Sequence, residues 1–322
     1  MVLVVSNGSY FIDFGVTNNV LTESRVHDTC REESKGRWKW ANSRVKQHIL
    51  KCHLIHHFDP YIKAGPFHLE IHLHWPFRAV FRDILVEKEM QWMIDISVPQ
   101  LSAARPLKKS YQFQKSVVAK FKDIEYSEEQ IFDKISGDNE TLKWNIMPLD
   151  NPYEFKISDK ILFQISKRVE LASNLNVTKR YASSKYQTTN YGLAGIVERH
   201  FDPIGYEKGA MLREGQHTLI QSGDIIATFM AWMKDTELGG ATAFTARNFE
   251  SVIHPKKGSA AFWINLTSCH LRDHRSMHAG CPVLKGSKWI VNKWIYSYDQ
   301  WKQIPCNLKS RTIISNFRGY YK

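Results

Sequence analysis

The sequence predicts a mainly β protein with flanking helices (α+β), in which the strands form a jelly roll, or double-stranded β-helix. Two observations support this fold class. From about residue 174 onward, short apolar stretches alternate with Gly, Pro and Asp, a pattern typical of consecutive strands. Upstream, two segments have helical spacing and would support the sheet. With 322 residues and 43% hydrophobic content, the chain can bury the core of one large or two modest domains.

The first half of the chain is expected to flank the jelly roll. Residues 1–29 receive no assignment, and residues 30–173 are interpreted as an N-terminal flanking region with supporting helices. A first helix is predicted from Ile84 to Ile96. A second would be capped by Ser158 and run to about Ala172.

The second half is predicted to hold the jelly roll in residues 174–306, followed by a tail at 307–322. Metal ligands near strand ends would lie in the mouth of such a barrel, where pockets commonly form. Strands are expected at the following segments: Tyr191–Val197, Ile225–Met233, Ser259–Ile264, His278–Leu284 and Trp289–Tyr296.

One short motif points to metal chemistry. His200-Phe201-Asp202 places an imidazole and a carboxylate on one side of an extended segment, and His278 supplies a second imidazole. Two histidines and one carboxylate hold one face of an octahedral ion and leave other positions open, which suits non-haem Fe(II) oxygenases. Lys288 could pair with the far end of an oxo-acid ligand.

Other histidines receive a plainer interpretation. His57-Phe58-Asp59-Pro60 repeats the motif but lacks its strand-rich surroundings, so we interpret it as a solvated turn. His68, His72 and His74 are interpreted as exposed strand residues, although the last two could face one side of a strand as metal ligands.

Several ordered motifs between Ile225 and Cys306 carry a family resemblance. The segments IIATFMAWMKDTELGGATAF, HPKKGSAAFWINL and HAGCPVLKGSKWIVNKW resemble the catalytic region of the collagen prolyl 4-hydroxylase alpha subunit. The resemblance extends upstream through Asn190-Tyr191-Gly192 and, more weakly, to about residue 30.

The resemblance implies a role for each matching residue. His200, Asp202 and His278 match the iron ligands, and Lys288 matches the lysine that binds 2-oxoglutarate. Further matches are Tyr191 and Thr242 beside that co-substrate, and Trp294 beside the substrate channel. The implied reaction uses Fe(II), O2 and 2-oxoglutarate to hydroxylate C4 of a peptidyl proline, releasing succinate and carbon dioxide, with L-ascorbate rescuing oxidised iron.

Two positions depart from the family pattern. Val197 replaces a tyrosine three residues before the first histidine, and Ile225 replaces an arginine; both positions are associated with peptide binding. The sequence therefore predicts a peptidyl-proline 4-hydroxylase acting on collagen-like or other proline-rich protein. Two alternatives stay open: a hydroxylase of a non-collagen protein, and a noncatalytic interaction subunit that retains the fold.

The resemblance also implies disulfides and a compartment. Cys281 matches a partner of Cys306, and Cys30 matches a partner of Cys52, which leaves Cys269 without one. Disulfides and four sequons, at Asn7, Asn139, Asn176 and Asn265, favour the endoplasmic reticulum lumen. A protein disulfide isomerase subunit is a possible partner by the same resemblance. The apolar run at residues 1–5 is too short for a signal peptide, so we expect an incomplete N-terminus.

Charge and hydropathy limit the other classes of function. The formal net charge is +12, but the basic residues are scattered, so we expect no nucleic-acid partner. No apolar run approaches the roughly 18 residues that a membrane-spanning helix needs, so we expect no transmembrane segment.

Overall fold

A computed structural model describes residues 2–6, 9–13, 30, 52–55, 67–103, 116–120, 152–179, 182–203 and 222–304. The strands within these ranges are β1 (Val2–Ser6), β2 (Ser9–Asp13), β3 (Cys52–Ile55), β4 (Phe67–His74), β5 (Phe77–Arg82), β6 (Ser102–Ala103), β7 (Ser116–Lys120), β8 (Gln187–Tyr191), β9 (Val197–His200), β10 (Ile225–Trp232), β11 (Leu238–Gly239), β12 (Thr242–Phe244), β13 (Ser251–Ile253), β14 (Ala260–Ile264), β15 (His278–Gly280), β16 (Val283–Lys285) and β17 (Lys288–Tyr296). The α-helices described are α1 (Glu87–Ser97) and α2 (Pro152–Ser173).

Two antiparallel sheets face each other across a shared interior. The larger has nine strands in the order β3-β4-β5-β14-β10-β17-β8-β7-β6, and the smaller has four in the order β13-β12-β15-β9. One apolar cluster contains Trp232, Trp263 and Ile290 from the large sheet together with Phe244 and Ile253 from the small sheet. The predicted mainly β fold with a jelly-roll core is therefore confirmed.

Strand β10 lies at the centre of the large sheet and is buried along its whole length. Phe229 and Ala231 pack in the main core together with Met93 of α1 and Leu162 of α2. The alternate residues, such as Trp232, face the small sheet. Because both faces of β10 are covered, its sequence IIATFMAW is an almost continuous apolar run rather than an alternating one.

The two helices occur where the sequence predicts them, with different starting points. Helix α1 begins after Val86, whose backbone N–H donates to the Glu89 side chain at 3.0 Å. Glu89 also accepts from Arg168 of α2 at 2.8 and 2.9 Å, which ties the helices together. Helix α2 begins at Pro152, a residue suited to a first turn, so the predicted cap at Ser158 is wrong.

Three strand predictions match β10, β14 and β17, whereas two apolar stretches are interrupted. The stretch His278–Leu284 divides into β15 and β16 around Pro282, which has no backbone N–H to donate. The run Tyr191–Val197 connects β8 to β9 through a turn in which Gly195 N–H donates to the Gly192 carbonyl at 2.8 Å. Turn signals inside an apolar run therefore outweighed its hydrophobicity.

One of the three histidines on β4 differs from its predicted exposure. His68 and His74 are exposed as predicted, but His72 is 6% exposed. The register of β4 against β5 shifts between Ile71 and Leu73, so His72 occupies a bulge and its Nε2 lies 3.0 Å from Glu70 Oε1. His57 and Asp59 lie outside the described residues.

The predicted disulfide pairs are wrong in this structure. Cys30 bonds to Cys281, with Cα atoms 5.3 Å apart and 251 positions between them in sequence. Because each cysteine forms one disulfide, this bond excludes both Cys30–Cys52 and Cys281–Cys306. Both bonded residues are buried in a small apolar cluster beneath β12, which brings them together. Cys269 is free, as predicted.

No helix in the described ranges is long and apolar enough to cross a membrane.

Candidate metal centre

The small sheet brings three donor side chains together. His200 ends β9, His278 begins β15, and the two residues are direct partners in the register of these strands. Asp202 follows β9 by two residues. The ligand atoms of His200, Asp202 and His278 all lie within 4.8 Å of one another. The Asp202 carboxylate oxygens Oδ1 and Oδ2 each lie 3.8 Å from a histidine Nε2, of His200 and His278 respectively.

Backbone carbonyls orient both imidazoles. His200 Nδ1 lies 2.8 Å from the Glu198 carbonyl oxygen, and His278 Nδ1 lies 2.9 Å from that of Ser276. A carbonyl only accepts, so each Nδ1 carries the proton and each Nε2 presents its lone pair to the centre. Burial, with a smaller contribution from the neighbouring His200, lowers the pKa of His278 to about 4, so this imidazole is neutral near pH 7.

Lys288 lies in the interior formed by the two sheets. It begins β17 opposite Tyr191 of β8, is 3% exposed, and its Nζ lies 5.4 Å from the centre of the Tyr191 ring. Ile290 and Ala261 both belong to the apolar cluster in this interior. In such surroundings a charge pair is screened much less than at the surface.

Unpartnered hydroxyl groups occupy the same interior. Thr242 is paired with Gly280 in the register of β12 and β15, close to His278, and its Oγ1 is buried without a hydrogen-bond partner among the described residues. The same holds for Thr236 Oγ1. A Cβ at Gly240 would contact both Thr236 and the Lys288 side chain, within 3.5 Å, so these two residues are neighbours. Sequence reasoning missed Thr236 because, although it lies within a quoted segment, the resemblance gave that position no role.

Tyr191 remains protonated in this setting. Burial raises the pKa of its hydroxyl, and the negative charge of Asp202 raises it further. The hydroxyl therefore keeps its proton near pH 7 and can donate a hydrogen bond.

Sequence comparisons identify the family. Residues 186–296 match the sequence profile of the 2OG-Fe(II) oxygenase superfamily, and this range includes all three donors and Lys288. Residues 186–296 therefore form a domain of the 2OG-Fe(II) oxygenase superfamily. One relative is prolyl 4-hydroxylase subunit alpha-2 of Caenorhabditis elegans, which is 29% identical over 87% of this chain and 44% of the relative. Another is prolyl 4-hydroxylase subunit alpha-3 of Mus musculus, which is 32% identical over 80% of this chain and 41% of the relative.

The resemblance to prolyl 4-hydroxylase alpha subunits is thus confirmed, and the chain spans less than half the length of these relatives. A crystal structure of a viral collagen prolyl hydroxylase from Paramecium Bursaria Chlorella virus-1 is also similar, with 18% identity, a TM-score of 0.44, and coverage of 68% of this chain and 96% of that chain.

Membership of the superfamily implies Fe(II), 2-oxoglutarate and O2, and the residues of this oxygenase fit them. Two imidazoles and a carboxylate match the ligand preference of Fe(II), and three protein donors leave positions for further ligands. The buried ammonium of Lys288 suits a ligand rich in anionic oxygen, such as 2-oxoglutarate. So do the two buried threonine hydroxyls, which have no hydrogen-bond partner among the described residues.

The residues predicted to line the substrate channel lie on three different strands. Val197 begins β9 and packs against Gly280 of β15, whereas Ile225 begins β10 and is 8% exposed. Trp294 of β17 is half-buried and is paired with Thr228 of β10. Their role in peptide binding stays a prediction.

Proposed function

We propose that this oxygenase hydroxylates C4 of proline residues in a collagen-like or other proline-rich polypeptide, coupled to oxidative decarboxylation of 2-oxoglutarate. The observation that carries the proposal is the cluster of His200, Asp202 and His278, with Lys288 buried in the same interior. Similarity to prolyl 4-hydroxylase alpha subunits over 87% and 80% of the chain supports proline as the reacting residue.

Each side chain has a separate task in this reaction. Iron held by His200, Asp202 and His278 would supply the redox chemistry that activates O2. Lys288 would bind the far carboxylate of 2-oxoglutarate, and Thr242 would donate a hydrogen bond to it. The apolar walls around Ile290 and Trp263 exclude water, which strengthens these polar contacts.

The residues that depart from the family pattern are at positions associated with peptide binding. Isoleucine at position 225 cannot imitate the planar donor fork of an arginine. Val197, Ile225 and Trp294 would instead offer a peptide an apolar surface. This change favours, as the alternative substrate, a proline-containing segment outside collagen.

The cellular setting is proposed as the endoplasmic reticulum lumen. The disulfide between Cys30 and Cys281 supports an oxidising compartment. L-ascorbate would reduce iron that has been oxidised without substrate turnover. A protein disulfide isomerase subunit is the proposed partner, by analogy with the prolyl 4-hydroxylase alpha subunits.

Succinate release tests the proposal. Purified protein with Fe(II), ascorbate and 2-oxoglutarate is incubated with a panel of proline-containing peptides, and products are examined by mass spectrometry for the gain of one oxygen atom. His200→Ala removes a ligand, whereas His274→Ala changes an exposed histidine beside the centre and serves as the control. We expect turnover in the wild type and in His274→Ala only.

Two negative results have different meanings. Absence of succinate release above the His200→Ala level, together with absence of metal binding, rejects an oxygenase. A protein that binds metal and 2-oxoglutarate but consumes none with any peptide, while binding another subunit, favours the noncatalytic alternative.

A further inference from the structure

A chain of two hydrogen bonds lies behind the metal ligand Asp202. Thr228 Oγ1 lies 2.6 Å from Asp202 Oδ2, and Asn265 Nδ2 lies 2.8 Å from the same Thr228 oxygen. Thr228 is 2% exposed and Asn265 is 0% exposed. Water therefore cannot substitute for either contact.

The direction of both bonds follows from the chemistry of the groups. A metal-binding carboxylate only accepts, so the Thr228 hydroxyl donates its single proton to Asp202. The same oxygen can then only accept from Asn265, which requires the amide nitrogen, not the amide oxygen, to face Thr228. The two bonds therefore run in one direction, from Asn265 to Thr228 and from Thr228 to Asp202.

The backbone holds Asn265 at the far end of the chain. Its N–H donates to the Ile226 carbonyl at 2.8 Å, and its carbonyl accepts from Asp273 N–H at 2.9 Å. Asn265 also begins the sequon Asn265-Leu266-Thr267. Because its amide nitrogen is buried and already donates to Thr228, this sequon is not a glycan acceptor in the folded chain, and the asparagine has an internal role.

We propose that Thr228 and Asn265 are positioning residues that fix the rotation of the Asp202 carboxylate toward the metal; this inference rests on the proposed function. Without the Thr228 hydroxyl, the Asp202 carboxylate can rotate about its Cβ–Cγ bond. Metal binding must then fix this rotation, and the entropy lost weakens the binding. Groups that orient a metal ligand from behind typically change metal affinity by about 10- to 100-fold when they are removed.

Cobalt(II) titration followed by visible absorption tests this inference without turnover. Thr228→Val keeps the shape and removes the hydroxyl, Thr228→Ser keeps the hydroxyl, and Asn265→Leu removes the amide. The matched control is Thr188→Val, since Thr188 is also fully buried and its Oγ1 lies 2.7 Å from Ser97 Oγ, in a hydrogen bond on strand β8. Circular dichroism reports the folding of each variant.

We expect Thr228→Val to raise the cobalt dissociation constant about 10- to 100-fold and Asn265→Leu about 10-fold, whereas Thr228→Ser and Thr188→Val stay within about threefold. Equal affinity in Thr228→Val and Thr188→Val overturns the inference. If Thr228→Val does not fold, Asn265→Leu decides by the same comparison. A wild-type protein that binds cobalt no better than His200→Ala instead rejects the metal centre, and with it the proposed function.

Discussion

Each donor of the candidate metal centre is oriented by a group outside the set of three donors. The imidazoles of His200 and His278 donate to backbone carbonyls two residues earlier, a local contact made within the same segment. Asp202 instead depends on Thr228, which is 26 positions away. The histidines are thus oriented by their own strands, whereas the carboxylate is oriented by a neighbouring sheet.

This difference explains what could be predicted for individual residues. The donors and Lys288 were recognisable because they occur in ordered motifs, and His200 differs from His57 only in its surroundings. Thr228 and Asn265 also lie in quoted motifs, but the sequence could not reveal their role, since their contact depends on the register of β10 against β14. Thr236 was missed because its position beside Lys288 likewise depends on the folded structure.

Replacement of Lys288 is expected to weaken the binding of 2-oxoglutarate. Lys288→Met keeps the apolar stem and removes the buried charge, and loss of one partner of a buried ion pair costs about 2–5 kcal/mol, which corresponds to roughly 30-fold or more in affinity. Isothermal titration of the cobalt-loaded protein with 2-oxoglutarate measures this change. The control is Lys285→Met, whose exposed side chain pairs with Glu237 at 2.6 Å. Equal affinities for the two variants would show that Lys288 does not bind the co-substrate.

Lys293 is expected to make stability depend on pH. Burial lowers its pKa from 10.5 to about 7, and its Nζ lies 4.4 Å from the centre of the Tyr186 ring. Between these two pKa values the unfolded chain binds more protons than the folded chain, so stability rises with pH from about 7 toward 10.

Urea unfolding is measured at pH 6.5 and pH 9, about one-half unit below and two units above the folded pKa. The free energy of unfolding of the wild type should be about 2 kcal/mol larger at the higher pH. Lys293→Met should lose this gain. Lys256→Met, with a side chain that is 62% exposed, should keep it. An unchanged pH dependence in Lys293→Met contradicts the assignment.

The connection between β11 and β12 depends on backbone conformations that favour glycine. Gly239 and Gly240 have φ values of 75° and 74°, and Gly240 N–H donates to the Pro282 carbonyl at 2.8 Å. This turn leads directly to Thr242. The elements themselves were largely predictable from apolar patterns, whereas the breaks at Gly192–Gly195 and Pro282 were not, because the apolar residues continue on both sides of these turn signals.

Substitution of Gly239 is expected to destabilise the fold. A Cβ at this position would overlap the Pro282 carbonyl oxygen, and the positive φ costs a side chain about 1–2 kcal/mol, so Gly239→Ala should lose about 2–4 kcal/mol. Gly192→Ala is the matched control, because a Cβ there meets nothing within 4 Å. Urea unfolding measures both variants, and equal stabilities would refute the steric argument.

At the scale of the whole molecule, the flanking region completes the sheet of the oxygenase core. The four consecutive strands β14, β10, β17 and β8 come from residues 174–306, whereas β3 to β5 extend one side and β7 and β6 the other. Both edges of the core are therefore covered by residues 30–173, which protects them from pairing with other chains. The domain boundary at residue 173 stays a prediction. The sequence did not indicate that one sheet includes strands from both sides of this boundary, because strand pairing joins segments that are far apart in the chain.

The disulfide also joins the flanking region to the oxygenase core. Cys30 and Cys281 are 251 positions apart, so their bond restricts most of the unfolded chain, and its loss should cost about 2–5 kcal/mol. Non-reduced peptide mapping by mass spectrometry should recover a fragment joining the two residues, and Cys30→Ser should abolish it and lower the urea midpoint. Cys269→Ser, which removes the free cysteine, should leave both unchanged. A fragment joining Cys281 to Cys306 would contradict this connectivity, because Cys281 can form only one of the two bonds.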